Sequence, residues 1–224
     1  MQIIAHRGLS ALFKENTLTA FKAAHAMGVN AFETDIQLSK DGALVLVHDY
    51  LLNQKPVKEY TLAELKQKNI CTLEELLAIL DRRSFLNIEI KNDGNIYPDI
   101  EERLALFLKK YKQEKNKNLL ISSFYLPSLK KIKKFLPEIK IGLLTRNFNL
   151  KEIDALKPYS VNMSYKRINK KIIDICRKKD IQVFIYTVND LKLFEKLKKD
   201  GVNAVFSDNP VLNQPSFFAA GGSI

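Results

Sequence analysis

Short apolar runs alternate along this chain with longer stretches whose apolar positions recur at helical spacing. The first run, residues 3–6, predicts a strand. Asn16-Thr17 then offers an N-cap, Leu18, Phe21 and Ala24 mark one helix face, and Gly28 stands where a C′ glycine belongs. Residues 31–36 and 43–47 predict two strands. The segment between them, residues 38–42, is too short for a helix, so this connection departs from a regular βα repeat. Thr72-Leu73-Glu74-Glu75 opens a helix with a capping-box signature, and Leu73, Leu76, Leu77 and Leu80 form its apolar stripe. Further strands are expected over residues 86–90, 119–122, 139–144, 161–163, 183–187 and 204–206. Helices are expected over 99–111, 127–136, 170–177 and 191–199, the last closed by Gly201.

Alternating β and α elements argue for a parallel sheet covered by helices, the α/β class. The pattern yields nine strand candidates against the eight of a TIM-type (βα)8 barrel, and 161–163 is the weakest of them. Residues 50–70 break the rhythm and read as an excursion between the third strand and the following helix. The expected organisation is one catalytic barrel over residues 1–212 and a tail over 213–224. In that tail, Phe217 and Phe218 could dock on the barrel.

Composition changes this picture little. A chain of 224 residues with 46% hydrophobic content can bury one large core, although two small domains would fit as well. A formal net charge of +11 points to an anionic partner or to a lysine-rich solvated surface. The surface reading fits better, because Lys130-Lys131-Ile132-Lys133-Lys134 and Arg177-Lys178-Lys179 lie in helical segments beside core-facing apolar residues. No basic ribbon is interleaved with aromatics, so a nucleic-acid partner is not expected. Cys71 and Cys176 are too far apart in sequence to suggest a disulfide framework or a zinc site, and a reducing compartment is the simpler expectation. With no basic leader and no membrane-length apolar run, a cytoplasmic protein is expected.

Candidate chemistry gathers where strands end. His6-Arg7 closes the first strand, and His48-Asp49 closes the third. Glu33 and Asp35 lie two apart on the second, and Glu89 and Lys91 two apart on the next, so each pair shares one side. A barrel collects strand C-termini on one face. Glu33, Asp35 and Glu89 offer hard oxygen ligands suited to one divalent cation, Mg²⁺ or Ca²⁺. His6 and His48 can act as acid and base near neutral pH. Arg7 and Lys91 can neutralise a phosphoryl group. Any one of these motifs alone is better explained by structure; the joint pattern points to a phosphodiester site.

These residues resemble the glycerophosphodiester phosphodiesterase family. The resemblance runs through Ala5-His6-Arg7-Gly8, Glu15-Asn16-Thr17, Glu33-Thr34-Asp35, Lys40-Asp41-Gly42, His48-Asp49 and Asn87-Ile88-Glu89-Ile90-Lys91. It continues through Ser122-Ser123-Phe124, Tyr186-Thr187-Val188-Asn189 and the stretch from Gly201 to Asp208. It implies a TIM-type barrel that hydrolyses a small glycerophosphodiester to glycerol 3-phosphate and an alcohol, with lipid and glycerol metabolism as its setting. It also implies a cation on Glu33, Asp35 and Glu89, an acid/base pair at His6 and His48, and phosphate contacts from Arg7 and Lys91. Glu15 matches a residue that holds Arg7 or the glycerol. Tyr186 matches an aromatic wall where the family usually carries tryptophan, which puts headgroup preference in question. Lys14 and Cys71 replace common prolines. The 50–70 excursion is shorter than the usual insertion, which leaves a more open pocket.

Competing expectations are a related phospholipase acting on lysophospholipids or sphingolipids, and a catalytically silent barrel that binds anionic lipid. Peripheral contact with an anionic membrane surface is compatible with either. His25, in the first helix, and Asp41-Gly42, a turn, are expected to be structural. Asn189 and Asp208 are divided between lining the pocket and capping turns.

Overall fold

The computed structural model describes residues 1–212. The expected tail over 213–224, with Phe217 and Phe218, lies outside the described residues. In chain order the elements begin with β1 (Gln2–His6), α1 (Leu18–Ala26), β2 (Ala31–Leu38), β3 (Leu44–Leu46), β4 (Leu51–Leu52) and β5 (Lys55–Pro56). There follow α2 (Leu62–Gln67), α3 (Leu73–Ile79), β6 (Phe85–Ile90), α4 (Ile100–Lys110), β7 (Leu119–Ser123) and α5 (Leu126–Phe135). The chain continues with β8 (Lys140–Thr145), α6 (Leu150–Leu156), β9 (Ser160–Ser164), α7 (Lys170–Lys178), β10 (Gln182–Tyr186), α8 (Leu191–Asp200) and β11 (Ala204–Ser207).

Eight parallel strands close into a ring in the order β1, β2, β6, β7, β8, β9, β10, β11, with β11 pairing back to β1. This is the expected (βα)8 barrel. The surplus strand candidate is β3, which pairs antiparallel to β2 outside the ring. The weakest candidate, residues 161–163, is a full ring member, β9, paired on both sides. Its apolar signal is thin because the inward position Asn162 is polar, with its Oδ1 accepting from Ser160 Oγ at 2.8 Å.

Side-chain alternation divides the interior into layers. Ile4, Ala31, Leu120, Phe184, Ala204 and Phe206 form one cluster inside the ring. Their strand neighbours Ala5, Phe32, Ile121, Val183 and Val205 belong to the large cluster shared with the helices. All eight positions of β2 are buried, as expected for a strand covered on both faces. Two positions above Ile4 and Ala31, the same inward column carries His6 and Glu33. The apolar filling therefore gives way to ionisable groups toward the C-terminal ends of the strands.

The excursion contains more than its sequence pattern predicts. The β4–β5 hairpin, a 3₁₀ turn over Val57–Glu59 and α2 surround a small core of Val45, Val47, Val57, Tyr60, Leu65 and Ile70. Thr61 and Glu64 form a capping box at the start of α2, and Thr72 and Glu75 form the expected one at α3. Helix α6 has no counterpart in the sequence reading. Its one buried residue is Ile153, so it carries no apolar stripe. The lysines of α5 surround a buried Ile132 and face outward, as a solvated face should.

Gly8 fixes the turn that follows His6 and Arg7. Its φ is +84°, and a Cβ there would come within 2.7 Å of the backbone carbon of Ala20. Gly8→Ala combines left-handed strain with overpacking and is expected to cost about 3 kcal/mol. Thermal melts should show a midpoint roughly 6–12 °C lower, whereas Gly94→Ala, at a positive φ with open space around it, should lose less than half as much.

Candidate active site

The site lies where the inward column turns polar. Register places His6 beside Glu33 on the β1–β2 pair, with Glu33 beside Asn87 and Asp35 beside Glu89 on the β2–β6 pair. Glu33, Asp35 and Glu89 thereby bring carboxylate oxygens within 4.8 Å of one another. Glu33 and Asp35 are buried and Glu89 nearly so. Burial, together with the charge of Asp35, holds Glu33 well above the usual carboxylate range. The same causes push Glu89 up to about 7, against the opposing pull of Lys91.

Two cations balance this cluster in part. Arg7 Nε lies 3.0 Å from Asp35 Oδ2, and Arg7 Nη1 donates to Glu15 Oε2 at 2.8 Å. Lys91 Nζ donates to Glu89 Oε1 at 2.9 Å and stands 3.8 Å from Asp35 Oδ1. Burial works against both cations, but the surrounding carboxylates outweigh it and keep both charged. Asn16, buried in the β1–α1 connection, donates to Asp35 Oδ2 at 3.0 Å and accepts from Thr34 Oγ1 at 2.8 Å. Asp35 Oδ1 and Asn87 Oδ1 are buried without a hydrogen-bond partner. Unpartnered oxygens beside three clustered carboxylates are the donor set a hard divalent cation takes.

The two histidines are each oriented by a carboxylate. His6 Nδ1 donates to Asp208 Oδ1 at 2.6 Å, and His48 Nδ1 donates to Asp49 Oδ1 at 2.7 Å. In both rings Nε2 is left to exchange a proton. Asp208 also accepts from Asn189 Nδ2 at 2.6 Å and from Ser10 Oγ at 3.2 Å. Burial opposes its charge, yet the bonds from His6, Asn189 and Ser10 hold it down to about 2. Of the two expectations for Asn189 and Asp208 the turn cap is the one found, since Asn189 Oδ1 accepts from the Asp208 backbone while its amide holds the Asp208 carboxylate; neither lines the cavity, and Asp208 reaches the site through His6.

His48 reaches the site by a route the sequence reading did not anticipate. It does not end a ring strand. β2 runs past the barrel to Leu38, and β3 returns antiparallel beside that overhang, so Val47 N donates to Asp35 O at 3.2 Å and His48 follows at the mouth. Buried Gln37 fastens the return, its Nε2 donating to Val47 O at 3.0 Å and Asp49 O at 2.8 Å. Tyr97 Oη in turn donates to Gln37 Oε1 at 2.7 Å.

A cavity of about 530 Å³ opens over these groups. His6, Arg7, Glu33, His48, Glu89, Lys91 and Tyr186 all line it. Asp35 lies beneath the lining, and Glu15 stands outside it, against Arg7. His25 is exposed on α1, away from the cavity. The lining also includes Tyr50, Asn87, Phe124, Arg146 and Arg167, to which the sequence reading gave no role. Asn87 was within reach of the two-residue alternation that picked out Glu89. Arg146 and Arg167 follow β8 and β9 and were within reach of the strand-end argument. Tyr186 and Phe124 meet edge to face, with ring centres 6.1 Å apart.

Among the described residues, no helix is long and apolar enough to cross a membrane. The Glycerophosphoryl diester phosphodiesterase family matches the chain over residues 6–212. A glycerophosphodiester phosphodiesterase of Caldanaerobacter subterraneus is 35% identical over 230 residues, which cover 93% of this chain and 94% of the relative. The glycerophosphodiester phosphodiesterase of Thermotoga maritima superimposes with a TM-score of 0.81 at 29% identity, over 94% of this chain and 96% of that one. A phosphodiesterase of Oleispira antarctica, solved in complex with the product sn-glycerol-3-phosphate, superimposes with a TM-score of 0.84 at 29% identity, over 94% of each chain. The chain belongs to the glycerophosphoryl diester phosphodiesterase family and is an enzyme, a phosphoric diester hydrolase.

Proposed function

We propose that residues 1–212 form one catalytic domain that hydrolyses glycerophosphodiesters to glycerol 3-phosphate and an alcohol, with His6 and His48 as the acid/base pair. The observation that carries this reading is the convergence of both carboxylate-oriented imidazoles with Glu33, Asp35 and Glu89 on one cavity. The Oleispira phosphodiesterase, which superimposes closely and holds sn-glycerol-3-phosphate as product, supports the choice of substrate class.

In the proposed reaction one imidazole takes the proton of the glycerol 2-hydroxyl as that oxygen attacks phosphorus in line. The other protonates the departing alcohol. Water then opens the cyclic phosphate with the two roles reversed. Arg7 and Lys91 offset charge on the phosphoryl oxygens, and Glu15 holds Arg7 in place. Tyr186 supplies part of the wall beside the substrate. Glu33, Asp35 and Glu89 would hold one Mg²⁺ or Ca²⁺, which would supply Lewis-acid polarisation of a phosphoryl oxygen. The histidines and carboxylates of the site are all in place, which speaks against a silent lipid-binding barrel.

A second reading concerns where the substrate is met. Leu12, Leu51, Leu150, Tyr165 and Leu191 are exposed; Leu12 and Tyr165 lie in connections that follow strands, Leu51 opens β4 three residues after His48, and Leu150 and Leu191 open α6 and α8. That is the mouth end of the barrel, and basic Lys14, Arg146 and Lys166 share it. Peripheral contact with an anionic membrane, and access to lysophospholipids, fit that rim. Co-sedimentation with phosphatidylglycerol vesicles should fall as salt rises from about 0.05 to about 0.5 M, and should fall further in a Leu12→Ser/Leu51→Ser variant.

His6→Ala and His48→Ala should each lower kcat by about 10²–10⁴-fold while cation binding persists. Asp208→Asn should lower kcat with little change in KM and should shift the pH profile, because it disturbs the imidazole that Asp208 orients. Near-normal turnover by either alanine variant, measured as glycerol 3-phosphate release, would remove the proposed pair.

Cation binding should also be visible without any substrate. Glu33 and Glu89 bind protons more tightly in the folded chain than in the unfolded one. Without a cation, their contribution to stability therefore falls as pH rises from the usual carboxylate range to about 7 for Glu89. A bound divalent ion takes the place of those protons. Its stabilising effect should grow from pH 5.5 to pH 7.5, reaching about 2.7 kcal/mol at a hundredfold excess over Kd, or roughly 5–10 °C in Tm. EDTA should abolish the shift, and Glu89→Gln should shrink it.

A further inference from the structure

The cavity has a second wall that the proposed chemistry does not use. It is built from the opposite side of the ring: Phe124 after β7, Leu144 and Arg146 on and after β8, Arg167 after β9, and Tyr186 on β10. The phosphoryl-handling groups lie on β1, β2 and β6 and in the return from β3. A diester with its phosphorus among those groups has one substituent left to rest on this second wall, and under the proposed function that substituent is the departing alcohol.

The charge of the wall sets what that alcohol is. Among the described residues neither Arg146 nor Arg167 has an ion pair with a carboxylate. Arg167 Nη1 donates to Asn147 Oδ1 at 3.1 Å, which steadies the guanidinium without neutralising it. The Arg146 guanidinium lies over the Phe124 ring, 4.9 Å from its centre. The aromatic face that would otherwise receive a quaternary ammonium is therefore already covered by a cation. Both arginines act on the Tyr186 hydroxyl, opposing the effect of burial and of Glu89 on it, so their charge reaches the cavity interior. The acids on the lining are otherwise engaged: Glu33 and Glu89 in the carboxylate cluster, and Asp49 with His48. Asp93, at the rim, is the one remaining, and it shares a neighbouring groove with Arg146.

We infer that Arg146 and Arg167, with the Phe124–Tyr186 shelf, form a leaving-group subsite for an alcohol that itself carries a phosphate. This rests on the proposed glycerophosphodiester hydrolysis and narrows its substrate class. A planar guanidinium pair presents forked donors that match phosphate oxygens, and the two aromatic rings offer a surface for the carbon skeleton between the two phosphates. A choline headgroup would meet two cations and a covered ring.

Glycerophosphoinositol and glycerophosphoinositol 4-phosphate differ by one phosphate on the alcohol and so test this directly, with glycerophosphocholine as the cationic comparison. The quantity read is the ratio of kcat/KM for the phosphorylated over the unphosphorylated inositol diester. It should exceed about tenfold at low salt and fall as salt rises to about 0.5 M. Arg146→Gln and Arg167→Gln should each lower that ratio about three- to tenfold, and the double variant should bring it near one. Glycerophosphocholine should be the poorest of the three. If the wild-type enzyme hydrolyses all three diesters with a ratio near one, or the double variant keeps the full ratio, this inference is overturned while the proposed function stands. If the wild-type enzyme, supplied with Mg²⁺ or Ca²⁺, releases glycerol 3-phosphate from none of them, both fall.

Discussion

Three carboxyl groups meet in the mouth of this barrel with oxygens within 4.8 Å of one another, and their mutual repulsion governs what surrounds them. At that separation each fully ionised pair would cost roughly 3 kcal/mol at an effective dielectric near 20. Strand register makes the approach unavoidable, since Asp35 sits beside Glu89 and Glu33 is two residues from Asp35 on the same face. The chain offsets the repulsion locally with Arg7, Lys91 and the Asn16 amide. The remainder shows in the raised proton affinity of Glu33 and Glu89 and in oxygens without a donor. A proton and a divalent ion are alternative answers to one electrostatic problem.

That constraint also explains the scaffolding behind each catalytic candidate. Arg7 is fixed at both ends of its reach: its backbone N donates to Glu33 Oε2 at 3.1 Å and its side chain meets Glu15 and Asp35. His48 depends on a longer chain of support. Its loop is held by Gln37, Gln37 by Tyr97, and Tyr97 through its backbone N by Asn92 at 2.8 Å. Asn92 is tied to buried Glu101 on α4, which also receives the Ser128 hydroxyl from α5. A polar network that is buried and nearly fully paired specifies one arrangement of its members, and here it joins the excursion to the barrel wall.

Much of this was legible in the sequence because strand alternation is a strict rule. Once 31–36 and 86–90 read as strands, Glu33 and Asp35 had to share one side of the first and Glu89 and Lys91 one side of the second. Ring membership was less legible. The antiparallel return of β3 and the parallel run of β9 both present themselves as short runs with apolar positions, and a strand's direction leaves no mark in its composition. Asn162 made β9 look weaker than it is, because an inward residue of a barrel need not be apolar where the lumen is polar. The elements inside the excursion, and α6, were missed for a related reason. Two-residue strands and a helix with one buried position fall below the length at which periodicity carries information. Asp208 stayed ambiguous because a residue 202 positions from His6 becomes its partner only through ring closure.

Closure is what turns two different half-barrels into one site. The first half of the ring, β1, β2 and β6 with the return after β3, carries the histidines, the carboxylates, Arg7 and Lys91. The second half, β7 to β10, carries Phe124 and Tyr186 and the guanidinium groups of Arg146 and Arg167. β11 joins them, pairing with β10 on one side and β1 on the other, and the residue just past its end, Asp208, grips His6. The His6–Asp208 bond thus braces the first half across the β11 seam, while Phe124, Arg146 and Arg167 stand at the strand ends of the second half, which pairs with the first along β6 and β7. Changes at Arg146, Arg167 or Phe124 leave the register that holds Asp35 beside Glu89 in place, so they bear on the proposed alcohol subsite alone. A division of that kind follows from the geometry of a closed parallel ring, in which every strand contributes its end to the same cavity and neighbours alone share hydrogen bonds.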